Sequence, residues 1–250
     1  MPIQKPGDPT RTQIIGEFSP MTVNGIMPDP HHEIATLSAG AVPASARRVA
    51  ILIHGVGGSA QQMLALGKQL AGADVALLAP SAPQDWWPRS FLTSIETNEP
   101  FFGSALRALS TLVEDVRGQG VPNERIVLAG FCQGGCLALE HAARAGRRYG
   151  GIVSMSAGLV GTAEAPAGFP VDALYGHRDK LFEYPSGLDG TPVSLSCRLR
   201  DPHTPLKRVE DTARVLAGVG ADVYTYVEPG QGHAILQNDI RALRALLAER

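Results

Sequence analysis

In Ile126-Val-Leu-Ala-Gly-Phe-Cys-Gln-Gly-Gly135 an apolar, β-branched run ends abruptly and a helical pattern begins. Arg125 to Ala129 reads as a strand buried on both faces, and Gln133 to Ala145 as a helix. Gly130 and Gly134 stand two positions either side of Cys132, the spacing of a nucleophile elbow. That spacing has a steric reason. A reactive side chain must project above the strand ends from a strained turn, and the flanking residues must be nearly free of side chain, or their Cβ atoms collide across it. A helix starting at residue 133 aims N–H groups and its positive dipole end at residue 132. This lowers a thiol's pKa and stabilises an oxyanion formed beside it. The competing reading is a glycine-rich turn around a buried, inert cysteine. The position between a β-rich run and a helix weighs against it.

Outward from this point, strand and helix patterns alternate. Val49 to His54 and Val75 to Ala79 are continuous apolar runs, as expected of buried parallel strands. Ser59 is placed to cap a helix carrying Met63, Leu66 and Leu70 on one stripe. A loop from Pro80 to about Thr97 contains Trp86, Trp87 and Phe91, and a helix then carries Phe102, Leu106, Leu109, Leu112, Val113 and Val116. Ile152 to Met155, Val193 to Cys197 and Val223 to Val227 read as strands. Leu206 to about Gly218 and Ile235 to Leu247 read as helices. This alternation predicts one α/β domain over residues 31–250, a mostly parallel sheet with helices on both faces and no large cap domain. Residues 1–30, rich in Pro, Gly and Thr, read as an extended or disordered arm.

Composition narrows the function classes. With 250 residues, 44% of them hydrophobic, there is ample apolar surface for a core. Lys plus Arg number 22 against 24 for Asp plus Glu, and the net charge of -2 with no basic block argues against nucleic acid or an anionic membrane as main partner. Three cysteines, Cys132, Cys136 and Cys197, are too few and odd in number for a disulfide framework. The apolar runs fall far short of membrane-spanning length, and Met1 to Gln13 lacks the apolar stretch of a signal peptide. A cytoplasmic protein without stable membrane insertion is expected, as a monomer or homodimer.

A thiol or hydroxyl nucleophile needs an imidazole base, and the imidazole needs a carboxylate to hold its tautomer. His233, in Glu228-Pro-Gly-Gln-Gly-His233, follows a strand and precedes the last helix, at the same sheet edge as Cys132. His203 is its rival. His54 reads as a support of its own loop, His141 as structural on the elbow helix, and the adjacent His31 and His32, with Glu33, as surface residues lacking a closing set of metal ligands. For the acid, Asp201 follows a strand and gives the chain order nucleophile, acid, base. Asp179, in Tyr175-Gly-His-Arg-Asp179, is the competing acid, and Asp201 is preferred because a helix and a final strand follow it with no element to spare. His54-Gly-Val-Gly-Gly-Ser59 follows the first buried strand, where elbow enzymes put a second oxyanion donor, so the N–H of Val56 pairs with that of Gln133. The loop matches neither a dinucleotide fingerprint nor a P-loop. Cys136, one helical turn on, and Cys197 read as small buried fillers.

With these residues in place, the sequence resembles the phospholipase/carboxylesterase family of α/β-hydrolases, which includes acyl-protein thioesterases, over about residues 45–250. The resemblance rests on Leu52-Ile-His-Gly-Val-Gly-Gly-Ser59, Gly130-Phe-Cys-Gln-Gly-Gly135, Asp201-Pro-His-Thr-Pro205 and Pro229-Gly-Gln-Gly-His233, with Ser90 to Pro100 similar to a bacterial branch. It implies hydrolysis of carboxylic or thio esters through an acyl-enzyme, with no cofactor and no metal. Those relatives carry serine where Cys132 stands, whereas dienelactone hydrolases, a neighbouring branch, use cysteine. Cys132 is therefore either a native thiol nucleophile or a serine replaced so as to slow turnover or trap an acyl-enzyme. The implied partner is a small-molecule ester or lactone; Trp86, Trp87 and Phe91, in the loop after the second strand, either line its acyl or ring site or pin that loop to the domain. A lactone bearing a carboxylate would want an arginine, and Arg89, Arg178 and Arg198 are the candidates. The alternative from another class is a low-turnover binding protein on a hydrolase fold, against which the presence of both acid and base counts.

Overall fold

The computed structural model describes residues 29–82, 94–161 and 183–249. Seven strands form one sheet: β1 (Thr36–Gly40), β2 (Arg48–Ile53), β3 (Val75–Pro80), β4 (Ile126–Phe131), β5 (Gly151–Met155), β6 (Pro192–Arg200) and β7 (Asp222–Gln231). Their order across the sheet is β1-β3-β2-β4-β5-β6-β7. Every neighbouring pair is parallel except β1 with β3. The helices are α1 (Ala60–Leu70), α2 (Ile95–Asn98), α3 (Phe101–Gly118), α4 (Gln133–Ala145), α5 (Leu206–Gly218) and α6 (Gln237–Ala248).

The two-residue period of the strands sorts their side chains into two layers. Val49, Ile51, Ile53, Ile126 and Leu128 are buried with Leu109 and Val113 of α3, Leu137 of α4 and Val209 of α5. Their neighbours Ala50, Leu52, Val127 and Ala129 are buried with Met63 and Leu64 of α1 and Leu243 and Leu247 of α6. Strands covered on both faces cannot show alternation, so their continuous apolar runs are what this packing requires. Ser59 caps α1 as expected: its Oγ accepts from the Gln62 N–H at 3.3 Å, and Gln62 Oε1 accepts from the Ser59 N–H at 3.0 Å.

Because β2, β4, β5, β6 and β7 run parallel, the segments after them, at residues 54, 132, 156, 201 and 233, emerge at one edge of the sheet. No inserted second domain stands over this edge among the described residues, and none of their helices is long and apolar enough to cross a membrane.

Several elements differ from the sequence reading. The edge strand β1 has no β-branched run and alternates between exposed and half-buried residues. Its register against β3, Thr36 opposite Pro80 through Gly40 opposite Ala76, is set by tertiary pairing. The expected loop to Thr97 contains α2, whose start is capped by Ser94 Oγ accepting from the Thr97 N–H at 3.2 Å. β6 and β7 continue past their apolar runs, and the salt bridge Arg198–Glu228 (2.8 Å) joins their polar ends. α6 begins at Gln237, not Ile235, since Asp239 Oδ2 accepts the Leu236 N–H at 2.6 Å and fixes the first turn there. Of the expected arm, residues 1–28 lie outside the described residues; the Asp29 carboxylate already reaches α3, accepting from Ser104 and facing Arg107 at 3.5 Å.

Candidate active site

Cys132 sits between β4 and α4 with φ 54° and ψ −123°, a conformation that non-glycine residues rarely adopt. Its N–H donates to the Met155 carbonyl at 3.0 Å, tying the turn to the end of β5. The flanking glycines are sterically required. A Cβ at Gly130 would lie 2.3 Å from the Gly134 carbonyl carbon, and one at Gly134 would lie 2.2 Å from the Ile53 carbonyl oxygen. Both obstacles are backbone, so neither can swing aside.

The Ile53 end of β2 leads into the second loop of the site. His54 is buried there, with Nε2 accepting the Ala82 N–H at 3.1 Å, so the ring proton is on Nδ1, which donates to the Gly55 carbonyl at 2.8 Å. This imidazole braces the loop. Val56 lies in the turn closed by the Gly58 N–H to Gly55 carbonyl bond (3.0 Å) and is 61% exposed. Gln133 is the first residue of α4, next to Cys132, and is buried.

The Asp201 and His233 loops meet in one contact. His233 Nδ1 lies 2.8 Å from Asp201 Oδ2 and 3.0 Å from Oδ1. The Asp201 side chain is fully buried and that of His233 is 13% exposed. Burial works against the charge on Asp201, but the hydrogen bonds from His233 and from the backbone N–H groups of His203 (2.8 Å) and Thr204 (2.9 Å) outweigh it and hold the carboxyl below the usual range. For His233, burial opposes the imidazolium, yet hydrogen bonding to Asp201 and to Cys132, with the charges of both, pushes its pKa up to about 9. Nε2 is buried and has no hydrogen-bond partner among the described residues. Phe131 lies against the imidazole at 4.8 Å between centroids.

The phospholipase/carboxylesterase family model matches residues 33–249. The chain belongs to the phospholipase/carboxylesterase family. An acyl-protein thioesterase 1 from Gibberella zeae is 27% identical over 233 residues, covering 83% of this chain and 93% of that protein. A phospholipase/carboxylesterase from Dyadobacter fermentans, of known crystal structure, is 32% identical with a TM-score of 0.75, covering 87% of this chain and 98% of that one. The Bacillus cereus carboxylesterase, at 15% identity and a TM-score of 0.61 over 86% of this chain and 94% of its own, shares the fold. The α/β-hydrolase architecture follows, and the chain is an ester-hydrolysing enzyme.

In this carboxylesterase-family chain the other titratable groups singled out from sequence fall into distinct places. The His203 ring stands 4.9 Å from that of His233 between centroids, but only its backbone N–H reaches Asp201. His141 is buried between Ser110 Oγ (3.2 Å) and Tyr149 Oη (3.0 Å), and burial lowers its pKa to about 4. His32 is exposed beside Glu33, whereas His31, expected at the surface, is buried because Ser104 Oγ bonds both its N–H and its Nδ1. No group of three or more His, Cys, Asp or Glu that could hold a metal occurs among the described residues. Cys136 and Cys197 are buried with their thiols pushed up by burial, Cys197 to about 11, as fits core fillers. Arg198 is engaged by Glu228 and by the Gln231 carbonyl at 3.0 Å. Trp86, Trp87, Phe91, Arg89, Arg178 and Asp179 lie outside the described residues. Sequence reasoning quoted Thr204 inside Asp201-Pro-His-Thr-Pro205 without giving it a role, and passed over Ser156, which lies in no motif; both are fully buried at the same edge.

Proposed function

We propose that this enzyme cleaves carboxylic or thio esters through a covalent acyl-enzyme on Cys132, with His233 as base and acid and Asp201 holding the imidazole. The observation that carries the reading is the buried His233–Asp201 contact at 2.8 Å, at the sheet edge where the strained Cys132 turn emerges. His233 takes the proton of Cys132 as the sulfur becomes the nucleophile. The sulfur attacks the carbonyl carbon, and the N–H groups of Val56 and Gln133 donate to the oxyanion. As the intermediate collapses, His233 gives its proton to the departing alcohol or thiol. Water, losing a proton to His233, then attacks the thioester. The acid leaves, and His233 returns its proton to the Cys132 sulfur. Substrate contacts with Trp86, Trp87 and Phe91 belong to the same proposal.

Hydrolysis of a short p-nitrophenyl ester by the parent, Cys132→Ala, Cys132→Ser and His233→Ala tests this. Loss of about 10³-fold or more in kcat/KM for Cys132→Ala and His233→Ala is expected. Undiminished turnover by Cys132→Ala would refute the assignment. A Cys132→Ser variant faster than the parent would mark the site as tuned for a hydroxyl, and a slower one would mark the thiol as its own nucleophile.

A further inference from the structure

Ser156, the residue after β5, is fully buried and holds φ 49°, a left-handed conformation for a residue with a Cβ. A glycine would adopt this backbone without strain. What serine adds is a hydroxyl, and Ser156 Oγ donates to the Ala234 carbonyl, one residue past His233, at 2.9 Å. The Ser156 carbonyl accepts from Thr204 Oγ1 at 2.9 Å, and the Thr204 N–H is one of the donors that hold Asp201 Oδ1. The Ser156 N–H donates to the Ser196 carbonyl at 3.0 Å, on the strand that leads to Asp201. The preceding carbonyl, Met155, accepts the Cys132 N–H at 3.0 Å. Three loops from three different strands are thus bonded to two consecutive residues at the end of β5.

We propose that Ser156 is a positioning residue for ester cleavage: its hydroxyl and carbonyl tie the His233 loop to the Asp201 loop and fix both relative to Cys132. The proposal rests on the Cys132–His233–Asp201 reading. Ser156 touches none of the three reacting groups, and it acts by holding the imidazole where it can meet both partners. A shift of under an ångström in that ring is enough to matter, since misplacement on that scale costs about a hundredfold in rate. Ser154 Oγ, also buried at this end of β5, has no hydrogen-bond partner among the described residues and bridges nothing.

The test compares the parent with Ser156→Gly, Ser156→Ala and Thr204→Val. It follows kcat and KM on a p-nitrophenyl ester, melting temperature, and the pH profile of Cys132 alkylation by iodoacetamide. Ser156→Gly is the deciding variant, because it removes the hydroxyl while relieving the backbone. It is expected to melt at or near the parent temperature, to lose about ten- to a hundredfold in kcat with KM changed less than about twofold, and to need higher pH for rapid alkylation. Ser156→Ala is expected to lose kcat to the same degree; if it does not fold, Ser156→Gly alone decides. Thr204→Val, which keeps the N–H to Asp201, is expected to move the alkylation profile in the same direction by less. A folded Ser156→Gly with parent kcat and parent profile, while Cys132→Ala is inactive, overturns the role of Ser156 and leaves the catalytic reading standing. Full activity in Cys132→Ala overturns both.

Discussion

The two edges of the sheet are built on opposite principles. At the edge where β2, β4, β5, β6 and β7 end, backbone strain at Cys132 and Ser156 coincides with a buried Asp201 and converging loops. At the other edge, where these strands begin, lies a cleft of about 720 Å³ lined by Arg47, Arg48, Asp74, Glu124, Arg148 and Glu249 among others. There the charges pair locally: Arg47 with Asp74 at 2.6 Å and with the Leu247 carbonyl at 2.8 Å, and Arg48 with Glu249 at 3.2 Å. Burial and the nearby Arg47 and Arg125 lower the Arg48 pKa, with Glu249 opposing. These contacts fasten the last helix to the starts of β2 and β3. This cleft therefore marks a fastening, whereas strain and converging polar groups mark the proposed chemistry.

Substitutions at the two edges should separate by orders of magnitude. Asp201→Asn keeps an acceptor for the N–H groups of His203 and Thr204 but turns an amide toward His233, and a loss of about 10²-fold or more in kcat is expected. Arg125→Ala, at the opposite edge, is expected to stay within about twofold in the same assay. Equal losses would dissolve the distinction.

Glycines sharpen the contrast through stability. Gly134→Ala drives a Cβ onto the Ile53 carbonyl, with a destabilisation of about 3 kcal/mol or more expected in denaturant titration. Gly118, at the far end of α3, has nothing within 4 Å of such a Cβ, so Gly118→Ala should raise stability by up to about 1 kcal/mol. A mild Gly134→Ala would mean that the elbow can open.

The His233–Asp201 contact also gives the site edge a pH dependence of its own. His233 rises to about 9 in the fold from about 6.5 in an unfolded chain, so its stabilisation is complete below pH about 6.5 and lost as pH climbs through 9. Asp201 is depressed, so its share is complete above pH about 3.9 and lost as pH falls through its lower folded value. Thermal scans should find the gap in melting temperature between parent and His233→Ala narrowing from pH 6.5 to above 9. A gap constant over that range would contradict the contact. The smallest effect is expected from Glu249→Gln, which removes a half-exposed partner of Arg48: under about 1 kcal/mol in stability, with unchanged activity.

The site edge was also the more legible in sequence. Gly130, Cys132 and Gly134 carry their steric reason in their spacing, and the buried strands β2 to β4 announce themselves as unbroken apolar runs. His233 and Asp201 could be chosen because each follows a strand at the edge where Cys132 emerges. What remained hidden depends on partners distant in sequence. β1 is a strand because β3 lies beside it, and the polar ends of β6 and β7 persist because Arg198 meets Glu228. His31 looks like a surface histidine until Ser104, 73 residues away, bonds it. Ser156 gives no local signal at all, since a serine after a strand is ordinary until its φ and its bonds to the Asp201 and His233 loops are known.

The most direct test of the account is intact-mass analysis of acid-quenched enzyme during turnover of a p-nitrophenyl ester, with peptide mapping of any adduct. The account predicts one acyl group per chain, on the peptide containing Cys132 and absent from Cys132→Ala. An acyl group on another residue, or turnover that persists in Cys132→Ala, would contradict it.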